Sequence, residues 1–230
     1  MDYDGFLELV KARRSIRGFK PDPIPDDYVD KIIQAARFAP SGANSQPWEF
    51  IVIKDQATKD GIATLVREQG DYSRKVEMTR AEELRMGGPA APVREPAYKN
   101  APVFILVCGD PRTKDAYPLL TTLTRGDSHF ASSLASAFLC MTLAATSLGL
   151  GSQWLSATGS PYVKPLLQEL LDIPEKMDIY DMLVVGYPSY QPKSRFVRER
   201  ADMVHHGRFD RSRYRTDEEI RQYIALLRKG

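Results

Sequence analysis

Apolar residues recur along this chain in two rhythms. Spacings of three and four mark amphipathic helices, and short unbroken runs mark strands buried on both faces. Phe6, Leu7 and Val10 put an apolar stripe on a helix over residues 2–13. Val29, Ile32, Ile33 and Ala36 line a second helix over residues 26–37, opened by Pro25 and Asp26 and stopped by Pro40. Phe50-Ile51-Val52-Ile53 reads as a buried strand, and Ile62, Leu65 and Val66 mark a helix over residues 58–69. Residues 101–108 form a strong central-strand candidate, ended by Gly109-Asp110-Pro111. A long neutral helix runs from about residue 128 to 148, broken by Gly149 and Gly151, and Ser152-Gln153-Trp154-Leu155 follows as a short strand. Residues 162–171 make a short helix ending before Pro174, and residues 181–186 are the last core strand. Thr216 and Glu219 have the spacing of a capping box. Ile220, Tyr223, Ile224 and Leu227 then form a stripe that needs a surface to cover it.

Residues 71–99 carry neither rhythm. They begin charged (Arg74, Lys75, Glu77, Arg80) and end in Gly87-Gly88-Pro89-Ala90-Ala91-Pro92, which reads as a loop or hinge. Residues 128–163 hold no Asp, Glu, Lys or Arg, which is enough length for a membrane span. Their filling of Ser, Thr and Ala favours instead a central helix buried all round in a soluble protein and suited to close packing at a dimer core. Helices alternating with few, sequentially distant strands predict an α+β layer fold. No GxGxxG follows a predicted strand, which disfavours a Rossmann domain, and no P-loop is present.

Composition narrows the function. A chain of 230 residues fits one compact domain, and a net charge of +2 gives no argument for nucleic acid or an anionic membrane. Cys108 and Cys140 each sit in an apolar run, without CxxC or Cys/His spacing, and no metal site is expected. The N-terminus has no basic n-region and no apolar h-region, so a cytoplasmic protein is the simplest expectation. His129, His205 and His206 lack metal spacing, and no nucleophile–base constellation stands out, which fits chemistry carried by a cofactor.

Two stretches carry the candidate chemistry. Lys11-Ala-Arg-Arg-Ser-Ile-Arg-Gly-Phe19 gathers Arg13, Arg14, Ser15 and Arg17 where the first helix ends. Guanidinium forks match phosphate oxygens and keep their charge, and a serine hydroxyl adds a neutral donor. A solvated basic helix end has the same composition. The second stretch is Ala39-Pro-Ser-Gly-Ala-Asn-Ser-Gln-Pro-Trp-Glu-Phe50. Together they resemble the nitroreductase family of flavin mononucleotide (FMN) enzymes, which carries Arg-Arg-Ser-x-Arg, a helix, and then Ala-Pro-Ser-x-x-Asn-x-Gln-Pro-Trp. Residues 149–157, Gly-Leu-Gly-Ser-Gln-Trp-Leu-Ser-Ala, resemble that family's Gly-Leu-Gly-x-x-Trp-Ile-Gly-Gly.

The resemblance implies a three-layer fold, with a central, mainly antiparallel sheet between helices, a long buried central helix, and an intertwined homodimer. It assigns Arg13, Arg14, Ser15 and Arg17 to the FMN phosphate, joined by a late basic segment in which Lys193 and Arg195 fit one alignment and Arg198 another. Pro40, Ser41, Gly42, Ala43 and Asn44 then line the isoalloxazine ring or ribityl chain, and the backbone of Leu155, Ser156 and Ala157 meets flavin N5. Ser-Ala here replaces the family's Gly-Gly. Trp48 and Trp154 are read as core residues. Residues 71–99 would supply a lid, and residues 190–230 an extension embracing the partner. The implied activity is reduction of an electron-poor small molecule, such as a nitroaromatic or quinone, by NAD(P)H through ping-pong hydride transfer. Val185-Gly-Tyr-Pro-Ser189 also resembles the iodotyrosine deiodinase branch, whose Glu, Tyr and Lys lid trio does not stand out in residues 71–99. A flavin-binding dimer without turnover is the remaining alternative.

Overall fold

A computed structural model describes residues 2–85 and 95–229. The glycine- and proline-rich loop or hinge expected at residues 87–92 lies outside them. Four strands form one antiparallel sheet in the order β1-β2-β4-β3, with β1 Trp48–Ile53, β2 Val103–Gly109, β3 Gly151–Leu155 and β4 Asp178–Gly186. The helices are α1 Tyr3–Ala12, α2 Asp26–Arg37, α3 Gln56–Glu77, α4 Leu119–Ser147, α5 Val163–Leu170 and α6 Asp217–Lys229.

Alternation along the two inner strands explains the layers. In β2, Val103, Ile105 and Val107 face α2 and α4, where they meet Ile32, Ala36, Leu134, Phe138 and Met141. Phe104, Leu106 and Cys108 face α3 and α5, where they meet Ile62, Val66, Val163 and Leu167. Both faces are covered, so β2 is buried at every position and reads as an unbroken apolar run. The α+β three-layer fold with its antiparallel sheet is therefore present.

Two helices are longer than their apolar patterns predict. The charged stretch after residue 69 continues α3 to Glu77, so residues 71–77 are helical rather than irregular. The long helix starts at Leu119, earlier than the charge-free segment suggested, because Arg125 and Asp127 project from its exposed side. Nor is α4 buried all round in the single chain. Phe138 and Met141 are fully buried on one side, while Leu119, Leu120 and Leu123 are more than 70% exposed (73%, 73% and 74%). It is long and apolar enough to cross a membrane by length and composition, with 44% of its most apolar window buried inside the protein.

The described chain divides into two compact units, residues 2–69 with 95–192 and residues 70–85 with 193–229. The sheet and α4 belong to the first. In the second, α6 packs against the turn at residues 82–84. The predicted capping box opens α6: Thr216 N–H donates to Glu219 Oε2 (2.7 Å), and Glu219 N–H donates to Thr216 Oγ1 (3.2 Å).

Candidate functional site

The first helix ends at Ala12, and Arg13 N–H donates to the Leu9 carbonyl as its C-cap. The chain then runs extended beside β3. Ile16 N–H donates to the Ser152 carbonyl (2.9 Å), Lys20 N–H to the Tyr187 carbonyl (2.9 Å), and Arg17 N–H to the Tyr190 hydroxyl (3.0 Å). Alternation buries Ile16 and leaves Ser15 and Arg17 exposed on the opposite side. Gly151 permits the contact, since a Cβ there would lie 2.8 Å from Ile16 Cγ1. A predicted basic helix end is thus pinned to the edge of the sheet.

Beside it lies a cavity of about 340 Å³ lined by Arg13, Ser15, Leu139, Thr142, Ser152 and Trp154. The lining combines a guanidinium and hydroxyls with an aromatic and an aliphatic side chain. That donor set suits a phosphate ester joined to an apolar group. Trp154 is 39% exposed and lines this cavity, so it is not the core residue expected; Trp48 is buried. Trp154 stacks on Phe138, with ring centroids 4.0 Å apart, and donates from Nε1 to Asp181 Oδ2 (2.5 Å).

The loop after α2 is strained. Ala43, Asn44 and Gln46 all have left-handed backbones (φ 50°, 52° and 43°). Such strain in non-glycine residues clusters at functional sites, held in place by their surroundings. Here the restraints are Gly42 N–H donating to Ser133 Oγ (3.1 Å) and Gln46 N–H donating to Ser41 Oγ (3.1 Å). Gly42 also packs beside Tyr117 and His129, where a Cβ would lie 3.0 Å from Tyr117 Cε1. Pro40, Ala43 and Asn44 are exposed, and Ser41 and Gly42 half-buried.

The chain does not gather all the predicted residues at one point. The loop meets α4 at Ser133, whereas the Arg13 cavity meets it at Leu139 and Thr142. Ser133 and Thr142 are roughly 13 Å apart along the helix at its usual rise per residue. Leu155 closes β3, and Ser156 and Ala157 enter a 3₁₀ turn over residues 156–159, directly after Trp154. Arg14 is half-buried beside Arg13. Lys193, Arg195 and Arg198 lie in the second unit. Lys193 and Arg195 are exposed, while Arg198 is half-buried and donates from Nη2 to the Asp202 carbonyl (2.8 Å).

The cysteines bring no reactive thiol to this site. Burial pushes the Cys108 thiol up to about 12, and burial also raises that of Cys140. Asp181 is the functional-site candidate that sequence reasoning missed. It is 9% exposed, and burial pushes its carboxyl up to about 6 against the opposing hydrogen bond from Trp154.

The Nitroreductase family model matches residues 10–187, a span that runs from the basic cluster through the end of the sheet. The chain belongs to the nitroreductase family. An Archaeoglobus fulgidus protein named for NADH dehydrogenase/NAD(P)H nitroreductase is 31% identical over 199 residues, covering 84% of this chain and 94% of that protein. The Danio rerio iodotyrosine deiodinase is 30% identical over 195 residues, covering 82% of this chain and 61% of its own length. A crystal structure of oxidized iodotyrosine deiodinase bound to FMN and 3-iodo-L-tyrosine superposes with a TM-score of 0.69 at 24% identity, over 88% of this chain and 99% of that one. A Parabacteroides distasonis crystal structure, also named for NADH dehydrogenase/NAD(P)H nitroreductase, superposes at 0.66 and 23% identity, over 89% and 99% of the two chains. Within the nitroreductase family, therefore, the chain has relatives named for both chemistries.

Proposed function

We propose that this chain is an FMN-dependent oxidoreductase that draws electrons from NAD(P)H and passes them to an electron-poor small molecule such as a nitroaromatic or quinone. The single observation that carries the reading is the cavity in which Arg13 and Ser15 meet Ser152 and Trp154, two motifs far apart in sequence. Arg13, Ser15 and Arg17 bind the phosphate, with Arg14 beside them. By the family resemblance, Lys193, Arg195 or Arg198 is a further candidate cation for the phosphate. Residues 40–44 cover the ring or its ribityl chain, and the backbone of residues 155–157 borders the reactive edge. Bound FMN supplies the electron relay, and the protein supplies position, water exclusion and electrostatics.

The reading includes a homodimer, supported by the exposed apolar residues at the start of α4. Leu119, Leu120 and Leu123 offer an apolar face to a second copy, and two copies supply the strained loop of one chain to the Arg13 cavity of the other. In this reading the enzyme is cytoplasmic, and α4 serves as a helix of the dimer core. Purification tests the reading. A yellow protein whose flavin bleaches when NADPH or NADH is added anaerobically supports it, and a flavin that neither nicotinamide bleaches defeats the reductase assignment.

Reductive dehalogenation of a halotyrosine is the second reading. It is favoured by the similarity to iodotyrosine deiodinase in both sequence and fold. A halotyrosine that perturbs the absorbance of the bound flavin would support it, and no change would remove it.

A further inference from the structure

Behind the wall of the Arg13 cavity lies a carboxylate that the proposed function leaves unused. Asp181 sits in β4 just beyond the register where Leu155 pairs with Met182. On one side its Oδ2 accepts the Trp154 indole N–H (2.5 Å), and that indole lines the cavity. On the other side is the 3₁₀ turn of residues 156–159. A Cβ at Gly159 would fall 3.4 Å from Asp181 Oδ1 and 2.3 Å from the Tyr180 carbonyl oxygen. The turn therefore presses directly on the β4 backbone, and glycine is what allows it. One side chain bonds the cavity wall and lies beside the turn that follows β3, which the proposed function sets at the reactive edge.

The chemistry of the contact is unusual for a structural hydrogen bond. Asp181 is 9% exposed, and among the described residues no Lys, Arg or His lies within salt-bridge distance of it. The groups facing it from other elements do not titrate: Trp154 on β3 and Gly159 in the turn. Phe138 on α4 stacks on the far side of the indole. Its β4 neighbour Tyr180 does titrate, and burial, with a contribution from the Asp181 charge, raises that phenol. An asparagine would satisfy the same indole without burying a charge. What aspartate adds is a charge-assisted bond, roughly twice as strong as a neutral one. It holds the ring in a fixed orientation against Phe138.

We propose that Asp181 is a positioning residue that locks the Trp154 indole and the 156–159 turn together, and thereby sets how tightly the pocket holds FMN. This rests on the FMN reading given above, so the test has one arm that needs no flavin. In the full-length apoprotein, acrylamide quenching of tryptophan fluorescence is followed across pH, with Trp154→Phe identifying the Trp154 share against Trp48. Quenching of Trp154 should rise as pH falls through about 6, and Asp181→Asn should abolish that transition. In the second arm FMN is titrated onto each apoprotein. Asp181→Leu should weaken FMN binding about tenfold, the loss of one buried hydrogen bond, with Asp181→Asn between it and the wild type. A transition that survives in Asp181→Asn, or wild-type FMN affinity in Asp181→Leu, overturns the proposal. If Asp181→Leu does not fold, Asp181→Asn decides on both readouts. A wild-type apoprotein that binds no FMN defeats the functional reading and the affinity half of the proposal, while the quenching arm still decides whether Asp181 holds the indole.

Discussion

At the scale of single residues, two groups near the candidate site cost stability where they stand. Ala43 occupies a left-handed backbone in which its Cβ is a liability. Ala43→Gly should therefore leave the fold intact and raise stability by about 0.5 kcal/mol, the relief of strain being partly offset by the freer unfolded chain. Urea unfolding reads this directly. Asp181 is the other case. Its carboxyl is raised from 3.8 to about 6 in the folded chain, so the folded state binds the proton more tightly than the unfolded one. The favourable contribution is full below 3.8, falls as pH rises, and is gone above about 6. Between pH 4 and pH 7 Asp181→Asn should gain roughly 2 kcal/mol on the wild type, because it has no charge to bury. Unfolding curves for the two proteins at those pH values should separate accordingly. Arg13 and Ser15 were legible because basic and hydroxyl residues cluster within a few positions. Asp181 was not, because its partner Trp154 lies in another strand and nothing in the local sequence marks the contact.

At the scale of elements, the central strands were the most readable part of the chain. Runs such as Val103–Gly109 have one explanation when both faces of a sheet are covered. Helix ends were less readable. The apolar face of α3 stops near Val66, but the charged residues that follow are good helix formers and carry it to Glu77. The sequence also left the two sides of α4 undistinguished, since small and apolar residues occupy both. The structure separates a face packed on the sheet from one carrying Leu119, Leu120 and Leu123. The proposed homodimer uses that open face. Replacing Leu120 and Leu123 with glutamate should convert the protein to monomer in sedimentation, with little change in the circular dichroism of the chain, and FMN affinity should fall with it. A dimer that persists unchanged would place the interface elsewhere.

At the scale of the whole molecule, the proposed function is electrostatic. It needs cationic side chains from the end of α1, braced against the edge of the sheet, to hold the charged end of a ligand whose other end is apolar. The family and the three-layer fold could be recognised in the sequence because paired motifs and buried strands are local. Where residues 40–44 fall relative to the Arg13 cavity could not be, because that depends on placement along α4, where the loop meets Ser133 and the cavity meets Leu139 and Thr142. The most direct test compares FMN with riboflavin, which lacks the phosphate, by equilibrium titration of wild-type apoprotein and of an Arg13→Ala/Arg17→Ala variant. Two charge-assisted contacts predict that wild type prefers FMN by about a hundredfold or more, and that the preference collapses in the variant while riboflavin affinity stays the same. Equal affinity of the wild type for both flavins, or an FMN preference untouched by the substitutions, would contradict the account.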